Sequence, residues 1–366
     1  DFITQGPKVP EFEQKLSEIV NVKYSIALCN ATSALHLACL ALGIKEGDLV
    51  WTSPNTFVAS ANCARYCNSN IDFVDINLDN GLMDIDKLSK KLKKAKNDNR
   101  LPKLVIPVHF AGTSCDMESI YKLSKEYGFY IIEDASHALG GRYQNEAIGN
   151  CKYSDFTVFS FHPVKIITTG EGGALCTKNP ILDEKIRLLR SHGIVKDNKL
   201  FKNKFYGPWS YEQHLLGFNY RMNDIQAALG ISQINRLDQI ISERNRLLNL
   251  YKNRLKELPL RFLDIPENVL SSVHLCVICL NKCTNNQHKD IFEAIREKGI
   301  GIQLHYWPVH LNPYYRNLGF KEGDFINAEL YANRALSLPL FPGLEEEDIN
   351  HISKILENTI QRIIDF

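Results

Sequence analysis

The sequence predicts an α/β layer fold on a mainly parallel sheet, followed by a smaller α+β unit. Two patterns and a length carry that expectation. Short β-branched runs alternate with helix-period segments through the first half of the chain. Near Gly217 the pattern gives way to a long apolar-periodic stretch. The length of 366 residues exceeds the roughly 250–300 at which a single core stops growing. The expected division is 1–240 for the larger unit and 241–366 for the smaller.

In chain order, strand-like runs fall at 24–29, 48–51, 71–74, 104–110, 130–134, 156–161 and 173–176. Between them, 32–42 sets Leu35, Ala38, Cys39 and Leu42 on one helical face, and 117–127 does the same with Ile120, Leu123 and Tyr127. The lysine cluster at 90–96 reads as a solvated helix end. Residues 221–256 read as one long, nearly uninterrupted helix linking the two units. A strand at 273–280, a helix at 289–298, a strand at 302–305 and helices at 327–334 and 345–360 complete the pattern.

Composition narrows the function. A net charge of +1, from 43 basic and 42 acidic residues, gives no field for nucleic acid or an anionic membrane. No apolar run approaches the roughly 18–20 residues of a membrane span. The segment opening at Asp1 lacks the pattern of a secretory leader. Most of the ten cysteines sit in apolar runs and are expected to be buried free thiols, so a cytoplasmic location is expected. Cys276, Cys279 and Cys283 are not followed by a second Cys/His pair at zinc spacing, and no metal is expected.

A parallel sheet binds ligands beyond the carboxyl ends of its strands, so residues just past the runs are the candidates. Lys165 lies between the run at 156–161 and the Gly-rich turn Thr168-Thr169-Gly170-Glu171-Gly172-Gly173. Taken alone, a lysine is far more often structural or solvated than catalytic. Glu133 and Asp134 end another run, and two adjacent carboxylates there need partners. A pyridinium N–H suits Asp134, as would a helix N-cap or a metal. Asn30-Ala31-Thr32-Ser33-Ala34-Leu35 opens a helix after the first run, which makes it a phosphate site or an ordinary N-cap.

In order and spacing these motifs resemble the DegT/DnrJ/EryC1/StrS family of sugar aminotransferases, from Thr4 to about Ile360. Further signatures are Pro54-Asn55-Thr56-Phe57-Val58-Ala59, Arg190-Ser191-His192-Gly193, Gly217-Phe218-Asn219-Tyr220-Arg221-Met222-Asn223-Asp224 and His305-Tyr306-Trp307-Pro308-Val309-His310. The resemblance implies the fold-type-I architecture of pyridoxal-phosphate enzymes: a mixed, mainly parallel seven-stranded sheet flanked by helices, plus the smaller α+β domain. It implies pyridoxal phosphate held covalently by Lys165, which then shuttles the proton. Asp134 would pair with the ring nitrogen, and Phe57 would stack on the ring. His137 would lie near the ring hydroxyl, and Ala31, Thr32 and Ser160 would hold the phosphate. Asn219 would cross a homodimer interface to the phosphate, and Arg221 would meet the carboxylate of L-glutamate. Ile3, Thr4, Gln5, His305 and Tyr306 would contact the sugar nucleotide, although either segment could serve packing alone. The Asp134–Gly140 and Ser160–Lys165 segments look like the branch that aminates a UDP-linked 4-keto-6-deoxy-N-acetyl hexose towards pseudaminic acid. Another 3-keto or 4-keto sugar nucleotide stays open, and a non-catalytic pyridoxal-phosphate-binding regulator is a remote alternative. Family dehydratases replace the lysine by histidine; Lys165 argues against that activity.

Overall fold

The computed structural model describes residues 3–364. Seven strands form the central sheet: β1 Tyr24–Leu28, β2 Leu49–Thr52, β3 Asn70–Phe73, β4 Leu104–Ile106, β5 Tyr130–Asp134, β6 Phe156–Ser160 and β7 Gly173–Thr177. Their order is β1-β7-β6-β5-β4-β2-β3. Only β7 runs antiparallel to its neighbours, pairing with β1 on one side and β6 on the other. The fold is the mainly parallel α/β architecture that the sequence predicts. Because β7 is reversed, its first residue, Gly173, lies at the edge where the other six strands end.

Helices cover both faces. These are α1 Lys8–Val20, α2 Ala31–Ala41, α3 Ala59–Tyr66, α4 Ile85–Asn97, α5 Met117–Tyr127 and α6 Pro180–Arg190. α2 is buried nearly all round, consistent with its run of Ala, Leu and Cys. α4 buries only the Leu88, Leu92 and Ala95 stripe. Its lysines are not uniformly solvated as expected. Lys91 turns inward, pairs with Asp72 at 2.7 Å, and lies 4.9 Å from the Trp51 ring centre. All ten cysteines carry free thiols, and eight are buried.

The expected single helix over 221–256 is two: α7 Asp224–Ile234 and α8 Leu237–Arg254. Residues 221–223 stay outside because Asn223 caps α7. Its side chain accepts from Gln226 N at 2.9 Å, while Gln226 Oε1 accepts from Asn223 N at 3.1 Å. At Arg236 the backbone leaves helical geometry (φ −109°, ψ 8°). The break lets Leu237 and Ile241 pack on the α1–α7 side of the sheet, while Leu247, Leu248 and Tyr251 enter a separate core.

That separate core is built on a three-stranded antiparallel sheet, β8 Leu260–Phe262, β9 Cys276–Leu280 and β10 Ala335–Leu338, with β9 in the middle. α9 Asn285–Glu297 and α11 Glu346–Ile363 cover it, and α10 Ile326–Ala332 lies just before β10. α10 instead contributes Ala328 and Tyr331 to the main core. Its first turn is tied there by Asp75, which accepts from Asn327 N and Ala328 N, both at 3.0 Å. The strand expected at 302–305 is reduced to one bridge, Gln303 to Ser337. The chain leaves that ladder at once to dock on the large sheet, as described below. None of the described helices is long and apolar enough to cross a membrane.

Candidate active site

A cavity of about 350 Å³ opens beyond the carboxyl ends of the strands. Nine predicted residues line it: Ala31, Thr32, Phe57, Asp134, His137, Ser160, Lys165, His305 and Tyr306. Five others do not, namely Asn219, Arg221, Ile3, Thr4 and Gln5.

One wall is the start of α2. Asn30 sits in extended geometry and caps the helix, its Oδ1 accepting from Ser33 N at 2.8 Å. The N–H groups of Ala31 and Thr32 have no partner among the described residues, as first-turn donors lack intrahelical acceptors. Gly173 lies directly beneath, so close that a Cβ there would come within 2.5 Å of Ala31 N. Ser160 pairs with Gly173 across the β6–β7 ladder, which brings its hydroxyl beside the same helix start. Free N–H donors, a hydroxyl and a helix dipole make this wall an anion cradle.

The opposite end is Asp134. Neighbouring side chains on a strand point to opposite faces, and this separates the two carboxylates of β5. Glu133 turns away from the cavity and meets buried His109 at 2.8 Å. Burial pulls the His109 pKa down, but hydrogen bonds to Cys115 and Glu133 outweigh it and hold it at about 10. Burial would raise the Glu133 pKa, but His109, Ser154 and Thr157 keep it below the usual carboxylate value. Asp134 faces the cavity and is almost wholly buried. Its Oδ1 accepts from Ser136 N at 3.1 Å and Ser136 Oγ at 2.6 Å, and its Oδ2 accepts from Ser60 Oγ at 2.6 Å. Both carboxylates therefore have the partners that the sequence demanded, of different kinds.

Lys165 lines the same cavity on a loop closed by its own backbone hydrogen bonds. Lys165 N donates to His162 O at 2.9 Å, Thr169 N to Phe161 O at 3.0 Å, and Phe161 N to Gly172 O at 2.9 Å. Burial lowers the Lys165 amine to about 8, and the Asp134 charge opposes that fall. A lysine near 8 has a usable fraction of free amine, the form that attacks carbonyls.

The remaining wall comes from His305 and Tyr306. Tyr306 N donates to Asn55 Oδ1 at 3.1 Å, and Val309 N to Pro54 O at 2.9 Å. His305 is held by Ser337 Oγ at 2.9 Å, and its carbonyl accepts from the Tyr331 hydroxyl at 2.8 Å. Tyr306 then places its hydroxyl 3.2 Å from His137 Nε2. Burial, then the charge of Lys165, push His137 well below its usual value and His305 to about 4, so both rings are neutral. Nδ1 of His137 is buried without a partner. Phe57 is exposed at the mouth, its ring centre 6.3 Å from that of Tyr306.

The five residues outside the cavity lie on two segments, 3–5 and 219–221. Ile3 O accepts from Asp224 N at 3.0 Å, and Gly6 N donates to Asp224 Oδ1 at 3.1 Å, which pins the 3–6 segment to the start of α7. Arg221 Nη1 donates to Ser191 Oγ at 3.1 Å, and Asn219 bridges Ser191 and is exposed. Thr56, Ser60, Ser136 and Glu171 belong to the site or its support without having been singled out individually. Ser60, in the small-residue run Val58-Ala59-Ser60-Ala61, gave only a faint signal. Its importance depends on a bond spanning 74 positions.

A pyridoxal phosphate fits this set. The anion cradle suits its phosphate, the buried carboxylate suits a protonated ring nitrogen, and the lysine between them suits its aldehyde. Comparison with known proteins agrees. The model of the DegT/DnrJ/EryC1/StrS aminotransferase family matches residues 1–357. A UDP-4-amino-4,6-dideoxy-N-acetyl-beta-L-altrosamine transaminase of Campylobacter jejuni is 38% identical over 365 residues, covering 99% of this chain and 92% of that protein. Among solved structures, Spr1654 from Streptococcus pneumoniae in its PMP form superposes with a TM-score of 0.90 at 28% identity, covering 99% of this chain and 94% of that one. Helicobacter pylori PseC, an aminotransferase involved in the biosynthesis of pseudoaminic acid, gives a TM-score of 0.89 at 32% identity, covering 99% and 93%.

Proposed function

Because the chain belongs to the DegT/DnrJ/EryC1/StrS aminotransferase family and is a pyridoxal-phosphate-dependent sugar aminotransferase, we propose the specific reaction and the division of labour. The proposed reaction moves the amino group of L-glutamate to a UDP-linked 4-keto-6-deoxy-N-acetyl hexose, in the pseudaminic acid pathway. The observation that carries this reading is the single cavity on which Lys165, Asp134 and the start of α2 converge. The 38% identity to the C. jejuni transaminase supports the sugar.

When bound, pyridoxal phosphate supplies an aldehyde that accepts an amino group and a ring that stores the electron pair released at the amino carbon. The chain's own residues do the rest. Lys165 would hold the cofactor through its Nζ and, once released, would move the proton between the two carbons that flank the transferred nitrogen, for which its lowered pKa suits it. Asp134 holds the ring nitrogen by charge and hydrogen bond. Ala31 N–H, Thr32 N–H and Ser160 Oγ bind the phosphate. Phe57 covers one ring face, and His137, kept neutral and fixed by Tyr306, meets the ring oxygen.

Arg221 receives the carboxylate of the amino donor, because a guanidinium fork matches it. His305, Tyr306 and the 3–5 segment take the sugar nucleotide. Asn219 serves the phosphate of a second copy, which makes the working enzyme a homodimer with shared sites. Its outward exposure, off its own cavity, supports that reading.

The test is to incubate the enzyme with L-glutamate and the UDP-linked 4-keto sugar and follow both products by mass spectrometry. The reading expects the 4-amino sugar nucleotide in equal amount with 2-oxoglutarate. Turnover confined to a 3-keto isomer would move the assignment to another sugar nucleotide.

A further inference from the structure

A carboxylate offers about four acceptor positions, two on each oxygen. On Asp134, Oδ1 uses both on Ser136, and Oδ2 uses one on Ser60 Oγ at 2.6 Å. One position remains, on Oδ2, for a single further donor in the cavity. Ser60 lies in α3, does not line the cavity, and is fully buried. Its only hydroxyl proton goes to Asp134. The contact of 2.8 Å with Thr56 Oγ1 therefore runs the other way, with Thr56 donating to Ser60. The result is an oriented chain from Thr56 to Ser60 to Asp134, in which each bond polarises the next.

From this we infer that Ser60, supported by Thr56, is a positioning residue that keeps the cofactor's proton on the ring nitrogen rather than on Asp134. The inference rests on the proposed pairing of Asp134 with that nitrogen. The hydrogen bond that Ser60 donates to Oδ2, the oxygen with a position left open, is made to the carboxylate form, so the shared proton stays with the ring. A protonated ring is the better electron sink. Ser136 donates both of its bonds to the other oxygen and within its own local turn. The hydroxyl of Ser60 comes instead from a separate helix, across 74 positions of sequence.

The test reads the ring nitrogen itself. Wild-type enzyme, Ser60→Ala and Thr56→Val are loaded with pyridoxal phosphate carrying ¹⁵N in the ring, and the nitrogen shift is measured by NMR. The wild type should show a protonated nitrogen, Ser60→Ala a shift towards the unprotonated form, and Thr56→Val a smaller shift in the same direction. The kcat of Ser60→Ala should fall about ten-fold or more, with KM for L-glutamate within about two-fold. If Ser60→Ala does not fold, the near-isosteric Thr56→Val carries the test alone. A protonated wild-type nitrogen that neither variant moves would overturn this inference and leave Asp134 in place. An unprotonated wild-type nitrogen would overturn the Asp134 pairing as well.

Discussion

The two flanks of the predicted site are finished to different degrees. At the Asp134 flank the supporting bonds are all made inside one chain: Thr56, Ser60, Ser136 and Asp134 form a connected, largely buried set that leaves one Asp134 acceptor position open to the cavity. At the 219–221 flank, Asn219 is exposed, and the preceding arm carries Trp209 at 78% and Leu216 at 84% exposure. Ile3, pinned nearby, is 65% exposed. A closed flank needs nothing beyond the chain to hold its shape. An open one, rich in exposed apolar groups, is suited to meeting another surface. On the proposed homodimer, the contrast divides the site into a part that one chain assembles and a part that a second copy would complete.

The largest effect should come from the closed side, from the strand residue that points away from the chemistry. Glu133→Ala leaves buried His109 without its partner and should cost about 3–5 kcal/mol of stability, read from urea melts. pH dependence sharpens the point. The His109 pKa is raised to about 10, so its contribution is full below its ordinary value of 6.5 and is lost as pH rises towards 10. Glu133 is held low, so its contribution is lost only in acid. Melts of the wild type should weaken on the alkaline side, and Glu133→Ala should flatten that slope.

Asp134→Asn should do the reverse, lowering kcat by about 10²–10³-fold with little change in the melt. Equal stability losses in both variants would erase the distinction between the two faces of β5. The open flank is broken by complementation. Lys165→Ala and Asn219→Asp should each be inactive or nearly so. Mixed and reassembled, they should recover about a quarter of wild-type activity, since half the dimers then hold one intact shared site. No recovery would place Asn219 in its own chain's site. The smallest effect is kinetic. Lys165 must be neutral to take up the cofactor, and its amine titrates at about 8. Uptake of pyridoxal phosphate by the cofactor-free protein should therefore rise about five-fold from pH 7 to 8 and level off above 9, as followed by absorbance.

Much of this was legible from the chain alone, for physical reasons. Strand runs and the residues just past them are local patterns, and the parallel sheet gathers those residues at one edge. Lys165, Asp134 and the Asn30–Leu35 helix start could thus be named before their distances were known. What could not be read depends on tertiary choice. The break at Arg236 carries no Pro or Gly, and beyond it α8 runs from one core, at Leu237 and Ile241, into another, at Leu247 and Tyr251. Residues 302–305 have strand character but give up their ladder to dock at Asn55. Lys91 looked like its solvated neighbours because only the fold brings Asp72 and Trp51 beneath it. Ser60 is a small helix residue whose meaning comes from a partner on a distant strand.

The central claim is that Lys165 holds pyridoxal phosphate and that L-glutamate empties it of its aldehyde. The direct measurement is the absorbance spectrum of the purified protein loaded with pyridoxal phosphate, before and after L-glutamate, beside that of Lys165→Ala. The wild type should show a visible band that L-glutamate bleaches, with one 2-oxoglutarate released per site, and Lys165→Ala should show neither the band nor the release. A wild type that binds no pyridoxal phosphate, or whose band L-glutamate leaves unchanged, would contradict the account.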